Sequence, residues 1–360
     1  IDKTIFLSFL FLFILGVFFS FASTSSLAGE KLNKDYYFFF SKHLIFAIFS
    51  IFLMILISCA QYNFFKKIFL PIFLISFIAL FLVLFFGVEV KGSKRWLNLY
   101  FFRFQPVEFL KPFFVVVVAQ ILSRENLVPT NTSYFFSFLC LLIPSIILLN
   151  QPDVGQTILL VLSWSAIVFV SGIKLIYIFS FFGIAFFSII TLLFILPDKF
   201  AYVFKRLEVF FDPSKGDSIQ SDKAIEAIKE GGLTGQGMGE GILKYRVPEA
   251  HTDYIISVIA EEFGSIISIF LVCIFLYIAF RVIKFALQEE DKFIKISLCG
   301  LTSLLIFQTF IHVGVNSSLL PTTGMTLPFL SYGGSSMFGS AMLAGIVLNL
   351  TKKKINNENS

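Results

Sequence analysis

Residues 68–87 read IFLPIFLISFIALFLVLFFG, a stretch without a single ionisable side chain. A helix needs about 20 consecutive apolar residues to cross a bilayer, and this stretch is long enough. Similar runs recur along the whole chain, so the sequence predicts an all-α polytopic membrane protein with about ten transmembrane helices. The candidate spans are 4–23, 43–60, 68–87, 105–122, 134–150, 155–172, 174–197, 254–284, 294–315 and 328–350.

The composition supports the same class, because 57% of the residues are hydrophobic and only 14% are charged. A soluble domain carries about 25% charged residues. The first span is also compatible with a cleaved signal peptide, since Ser26-Leu27-Ala28 resembles a cleavage site. Its apolar part exceeds the roughly 7–15 residues of such peptides, which favours a retained helix.

The residue types that usually hold metals or nucleic acids are scattered. The four cysteines lie inside apolar runs without a CxxC spacing, and the three histidines are far apart. The net charge of +5 is spread over several loops. These features argue against disulfides, a metal centre and nucleic acid binding.

The distribution of Lys and Arg among the short loops favours a topology with both termini in the cytoplasm. The long polar segment 198–253, which lies between the seventh and eighth predicted helices, is then an extracytoplasmic loop. Segment 88–104 lies on the same side, yet it carries Lys91, Lys94, Arg95 and Arg103 against Glu89. Positive charge retained outside indicates either an anionic ligand or contact with lipid headgroups.

Ionisable residues at membrane depth are costly and usually mark function. Glu108 and Lys111 lie three residues apart on one helix face, where they can pair with each other or contact a substrate. Asp153 follows Gln151-Pro152 at a helix junction, where it can cap the next helix or serve the site. Gln308, His312 and Asn316 form a polar stripe on the ninth span, which favours hydrogen bonding between helices.

The segment 198–253 contains ten Asp or Glu and eight Lys or Arg residues, so it is solvated. Its glycine-rich stretch 231–241 either approaches a ligand closely or keeps a loop mobile. Asp217 and Gly231 are candidates for the start and stop of a short helix before it. Asp253 stands at the edge of the eighth span, where partial loss of hydration suits a general base. Its other interpretation is a cap for the helix that begins at Tyr254.

Several ordered motifs resemble the SEDS family (shape, elongation, division and sporulation proteins), and they cover nearly the whole chain. They are Gly92-Ser93-Lys94-Arg95-Trp96-Leu97 with Gln105-Pro106-Val107-Glu108, Gln151-Pro152-Asp153-Val154-Gly155, Pro248-Glu249-Ala250-His251-Thr252-Asp253, Ala260-Glu261-Glu262-Phe263-Gly264, and the stretch from Leu320 to Ser336. Within the family, the chain is most similar to the cell-division branch.

The resemblance implies one membrane domain over 1–360, in the bacterial inner membrane at the division septum. It implies a peptidoglycan glycosyltransferase that polymerises lipid II and works with a class B penicillin-binding protein and other division membrane proteins. No cofactor is firmly implied, and a divalent cation is possible. The alternative function is a lipid II flippase, because broken helices and buried charges also suit a transporter.

The resemblance also assigns roles to residues. The essential loop aspartate of the family maps onto Asp253, the expected general base. Arg95, Lys94 and Lys111 are expected to stabilise the departing diphosphate, with Glu108 orienting Lys111. Trp96 either stacks on a sugar or anchors the chain at the membrane interface. The remaining expected substrate-binding residues are Asp153, His251, Ser331 and Tyr332.

Overall fold

A computed structural model describes residues 2–32, 37–90, 93–99, 103–124, 131–195, 197–212, 219–246 and 250–352. Ten apolar helices correspond to the ten predicted spans. They are α1 (Lys3–Leu32), α2 (Phe38–Cys59), α3 (Tyr62–Phe86), α4 (Pro106–Leu122), α5 (Asn131–Asn150), α6 (Val154–Val170), α7 (Leu175–Ile195), α11 (Ile255–Gln288), α12 (Lys292–Asn316) and α13 (Gly334–Leu350).

Within the described ranges, six of these helices are long and apolar enough to cross a membrane by length and composition. The chain is therefore an integral membrane protein. The boundaries differ from the prediction at α1, which ends at Leu32 instead of residue 23, and at the last span, which begins at Gly334 instead of residue 328. Pro328 and the backbone of Gly333, whose φ of 166° is extended, keep the preceding residues out of the helix.

Segment 88–104 contains a small antiparallel sheet that the all-α prediction did not include. Its strands are β1 (Val88–Val90), β2 (Ser93–Asn98) and β3 (Arg103–Phe104), in the order β1-β2-β3. Side chains alternate along a strand. Lys94 therefore points away from its neighbour Arg95, is exposed, and lies opposite Glu89 in the β1–β2 register.

The polar segment 198–253 carries three helices rather than one continuous loop: α8 (Pro197–Phe211), α9 (Ile219–Gly231) and α10 (Leu243–Arg246). The predicted stop of a short helix at Gly231 is confirmed, whereas its predicted start at Asp217 lies outside the described residues. Helix α8 is amphipathic, with Phe204 and Phe211 exposed on one side. The position of this segment on the outer side of the membrane stays a prediction.

The glycine-rich stretch 231–241 packs against the backbone of helix α11. The Gln236 N–H donates to the Glu261 carbonyl at 2.9 Å, and the Gly237 N–H donates to the Glu262 carbonyl at 3.0 Å. These carbonyls are available because α11 is interrupted just beyond them. The stretch therefore pairs with a broken helix, in place of the predicted ligand contact or mobile loop.

The interruption lies at Gly264, whose φ of 86° and ψ of 168° are not helical. On the far side of the break, the Ser265 N–H donates to the Gly232 carbonyl at 3.0 Å. A Cβ on Gly235 would lie 2.3 Å from the Glu262 carbonyl oxygen, so only glycine permits this approach. The glycines are thus required for backbone-to-backbone packing.

Glu261 and Glu262 are both buried, although they are adjacent in the chain. The Glu261 carboxylate accepts hydrogen bonds from the Ile242 N–H at 2.7 Å and from the Leu243 N–H. It therefore satisfies two backbone donors near the start of α10. This contact fixes the far end of the glycine-rich stretch to α11.

We expect Gly264→Ala to destabilise the chain by at least about 2 kcal/mol, because a positive φ costs an L-residue roughly 1–2 kcal/mol. In addition, the new Cβ would lie 2.2 Å from the Leu233 carbonyl oxygen. Thermal unfolding in detergent measures the effect. Gly183→Ala is the matched control, since nothing lies within 4 Å of its Cβ position. Equal melting temperatures for the two variants would contradict the packing argument.

Candidate active site

A cavity of about 420 Å³ opens between the small sheet, the polar segment and the α12–α13 connection. It brings together five of the residues selected from the sequence, although they lie far apart in the chain. They are Arg95, Trp96, Glu108, Asp253 and Tyr332. The α12–α13 connection also lines the cavity, at Thr322, Gly324, Thr326 and Gly333.

A hydrogen bond to its backbone holds Asp253 at the cavity, and Asp253 is not the N-cap residue of α11. Helix α11 begins at Ile255, and its N-cap residue is Tyr254, which makes no side-chain cap. The cap comes instead from Asn316, whose Oδ1 accepts from the Ser257 N–H at 3.3 Å and from the Ser257 hydroxyl at 2.7 Å. The Asn316 amide also donates to the Asp253 carbonyl at 3.0 Å. The expected alternative, a cap made by Asp253, is therefore wrong.

The Arg95 guanidinium is fixed by the turn between α5 and α6. Its Nε lies 3.6 Å from the Asp153 Oδ2 and donates to the Gln151 carbonyl at 3.3 Å, and its Nη2 donates to the Pro152 carbonyl. Asp153 also caps α6, since its Oδ1 accepts from the Gln156 N–H at 3.4 Å. Asp153 is buried behind Arg95 and does not line the cavity, so it positions Arg95.

Gly324 separates the two charged groups that face each other across the cavity. A Cβ at this residue would lie 3.4 Å from the Asp253 Oδ2 and 3.9 Å from the Arg95 Nη1. The φ of Gly324 is +68°, a conformation that L-residues adopt with strain. A carboxylate and a guanidinium therefore lie on either side of a gap that only a glycine leaves open.

Glu108 and Lys111 form the buried pair that their spacing allowed. The Lys111 Nζ lies 2.8 Å from the Glu108 Oε2 and donates to the Gln308 Oε1 at 3.1 Å. Gln156 donates to the Glu108 Oε1 at 2.9 Å, and Gln308 donates to the Thr326 carbonyl at 3.0 Å. Glu108 lines the cavity, whereas Lys111 lies behind it. This network supports the cavity wall, and the expected contact of Lys111 with a diphosphate needs correction.

Ser331 and Tyr332 connect the α12–α13 segment to the residues just before Asp253. The Ser331 hydroxyl donates to the Thr252 carbonyl at 2.6 Å, and the Tyr332 N–H donates to the His251 carbonyl at 3.0 Å. The His251 ring packs between Phe39 and Tyr332, at centroid distances of 5.0 and 5.4 Å. Ser331 and His251 do not line the cavity, so both act as positioning residues.

The lining also contains Arg103, which belongs to the cationic segment 88–104, and Arg206, which nothing in the sequence pointed to. Arg206 lies on the inner face of α8, and its Nη1 donates to the Thr322 carbonyl at 3.1 Å. Burial and the nearby Arg95 guanidinium lower the pKa of Arg206. Lys94 is exposed and does not line the cavity. The cations among the described lining residues are therefore Arg95, Arg103 and Arg206, without Lys94 and Lys111.

Two tyrosines beside the cavity remain neutral phenols at ordinary pH. Burial, with the negative charge of Asp253, raises the pKa of Tyr254 to about 12. Burial raises the pKa of Tyr332 to about 12. Neither phenol is a base near neutral pH, so Asp253 and Glu108 are the bases among the described lining residues. Glu108 is held in the buried pair with Lys111 that supports the cavity wall.

Residues 2–356 match the model of a protein family described as cell cycle protein, FtsW/RodA/SpoVE. The chain belongs to this family. A Caulobacter vibrioides relative is 35% identical over 94% of this chain and 86% of its own length, and a Haemophilus influenzae relative is 32% identical over 97% and 90%. Both relatives carry the name probable peptidoglycan glycosyltransferase FtsW.

Solved structures of the family share the fold. RodA of Thermus thermophilus superposes with a TM-score of 0.67 at 24% identity, covering 95% of this chain and 94% of that one. A chain from a peptidoglycan synthase complex, described as coordinating polymerization and crosslinking, gives a TM-score of 0.76 at 24% identity, with 95% and 96% covered. The FtsW/RodA/SpoVE fold thus extends over almost the whole chain.

Proposed function

We propose that this chain is a peptidoglycan glycosyltransferase of the FtsW type that polymerises lipid II during cell division. The names of its relatives support this activity over most of the chain's length. The observation that carries the mechanism is the Asp253 carboxylate facing the Arg95 guanidinium across Gly324. Glycosyl transfer from a diphosphate needs a base and a cation on opposite sides of the reacting carbon.

In this reaction, the 4-hydroxyl of an acceptor sugar attacks C1 of a donor sugar. A bond forms between C1 and the acceptor oxygen, and the bond between C1 and the diphosphate oxygen breaks. The hydroxyl proton passes to the Asp253 carboxylate, and the polyprenyl diphosphate leaves with the bonding electrons. The guanidinium of Arg95, with those of Arg103 and Arg206, stabilises the charge of the leaving group. Trp96 lines the same cavity and offers a stacking surface for a sugar.

A lipid II flippase is the second candidate, because it would bind the same anionic lipid without making a bond. The observation that favours it is the buried network around Glu108 and Lys111, which resembles the buried charges of transporters. Transport needs no base beside the diphosphate site, whereas the position of Asp253 is explained by bond formation.

Polymer formation by the purified chain in detergent tests the proposal, because detergent removes the two sides that transport requires. We expect glycan strands from lipid II when the chain is combined with its transpeptidase partner. The absence of polymer, together with lipid II movement across reconstituted vesicles, would favour the flippase. The matched control is the partner alone, which should give no polymer.

We further propose a class B penicillin-binding protein and other division membrane proteins as partners, and a location in the inner membrane at the septum. Cytoplasmic termini, with segment 198–253 outside, are part of the same proposal. They are supported by the Lys and Arg counts of the short loops. Cysteine accessibility at an added terminal residue, compared with one in the polar segment, distinguishes the two orientations.

The residues present do not fit a divalent cation held by the protein alone. In the part of the chain that the structure describes, no group of three or more His, Cys, Asp or Glu residues could hold a metal. The proposed reaction uses only the side chains described above.

A further inference from the structure

A second cavity, of about 440 Å³, lies beside the first and belongs to no step described above. It is enclosed by α8, α9 and the residues that follow α12. The two cavities share three wall residues, Arg206, Gln220 and Thr322. The two cavities therefore adjoin, with the Arg206 side chain and the Thr322 backbone between them.

The second cavity combines cationic and apolar surfaces. Lys205 and Arg206 on α8 supply two positive charges. Among the described lining residues, the negative charge is that of Asp222 on α9. Val209 and Phe210, which follow one turn later on the same helix, supply an apolar wall. A site with net positive charge next to apolar surface suits a phosphate group joined to a hydrocarbon chain.

Arg206 is held in place between the cavities. Its Nη1 donates to the Thr322 carbonyl at 3.1 Å, and its pKa is lowered by burial and by the Arg95 guanidinium. Two guanidinium groups that repel each other are stabilised by an anion between them. Arg95 and Arg206 can therefore share one anion. Lys205, in the second cavity, offers a position for a second anion on the other side of Arg206.

The reaction itself supplies two such anions, because the donor and the acceptor each carry a polyprenyl diphosphate. The donor diphosphate leaves from C1 and must be near Arg95. The acceptor has its reacting hydroxyl at one end of a disaccharide and its own diphosphate at the other end. With the hydroxyl at Asp253, the acceptor diphosphate lies away from the reacting carbon.

We propose that the second cavity binds the diphosphate and the first isoprene units of the acceptor, with Lys205 on the phosphates and Val209 on the chain. This inference rests on the proposed function and names the site of its second substrate. The acceptor sugars then pass beside Arg206, Gln220 and Thr322 to reach Asp253. Lys205 is a binding residue here and takes no part in the bond change.

Two lipid II analogues allow the KM of the donor and the KM of the acceptor to be measured separately. An analogue with CH2 in place of the anomeric oxygen cannot act as donor, and one without the 4-hydroxyl cannot act as acceptor. Combined, they allow one transfer only. For Lys205→Ala and for Val209→Trp, we expect the KM of the acceptor-only analogue to rise about tenfold, with kcat and the donor KM within about twofold of wild type.

Lys229→Ala is the matched control, because Lys229 is exposed on α9 and does not line either cavity. An unchanged acceptor KM, a rise in the donor KM, or an equal rise in both would overturn the assignment. Binding of the acceptor-only analogue to the purified full-length chain gives a readout that needs no turnover, and Lys205→Ala should weaken it about tenfold. If wild type binds the analogue but never forms product, the proposed function fails and the subsite stands.

Discussion

Asp253→Asn should leave the chain folded and able to bind lipid II while lowering the rate of glycan synthesis by about 10²–10⁴-fold, the range that a positioned base contributes. The amide keeps the shape of the side chain and cannot accept the proton of the attacking hydroxyl. The Asn316 amide still donates to the Asp253 carbonyl in the variant, which keeps the backbone in position. Initial rates with purified lipid II measure the loss, and lipid II binding should remain within about threefold of wild type.

Glu226→Gln provides the control, since it removes a carboxylate from the same polar segment. Glu226 is exposed and pairs with Arg246 at 3.7 Å, a type of contact that contributes little to stability. Its activity should equal that of wild type. An Asp253→Asn variant that retains more than a tenth of the wild-type rate would remove Asp253 from the role of base.

Gly324→Ala should lower the rate about a hundredfold, although the variant only adds a methyl group. That carbon would occupy the gap between the Asp253 Oδ2 and the Arg95 Nη1, at 3.4 and 3.9 Å. These are ordinary contact distances, so the new carbon moves neither group but obstructs a substrate placed between them. A substrate misplaced by about 1 Å can lose about two orders of magnitude in rate. The positive φ adds about 1–2 kcal/mol of strain, so a modest fall in melting temperature should accompany the loss. Steady-state kinetics and thermal unfolding in detergent measure the two effects.

Gly172→Ala separates the effect of backbone strain from the effect of the carbon added between Asp253 and Arg95. Gly172 has a φ of +105° in the turn before α7, and nothing lies within 4 Å of its Cβ position. It should lose stability to a similar extent and keep its activity. Equal losses of activity in both variants would attribute the Gly324 effect to stability alone.

Much of the architecture could be predicted because apolar runs and helices are both local features of the chain. The spans around Ile68 and Ile294 needed only the length and hydropathy of their own residues. The Glu108–Lys111 pair was one of two possibilities that an i, i+3 spacing allows, and the structure selects pairing. For Asp153, the cap on α6 could be predicted from its position before the helix. Its contact with Arg95 could not, because Arg95 is distant in the sequence.

The features that could not be predicted depend on contacts between distant segments. Arg206 stands on a helix inside a stretch that composition describes only as polar, so nothing local connects it with Arg95. The glycines of 231–241 indicate close approach, but their partner, the broken part of α11, lies outside the motif. Lys94 and Arg95 are adjacent in sequence, and only the pairing of β2 determines which of them faces the cavity.

The break in α11 also limits how far the Asp253 carboxylate lies from the hydrocarbon core of the bilayer. From Ser265 to Phe280 the helix has no Asp, Glu, Lys, Arg or His, and this part is about 24 Å long at about 1.5 Å per residue, close to the roughly 30 Å of a hydrocarbon core. The break at Gly264 therefore lies near the membrane boundary. The piece Ile255–Phe263 extends beyond it and carries Asp253 at most about 16 Å further out. A headgroup layer is about 5–8 Å thick on each side, so at that upper limit the carboxylate is reached by sugars that stand upright above the lipid phosphates.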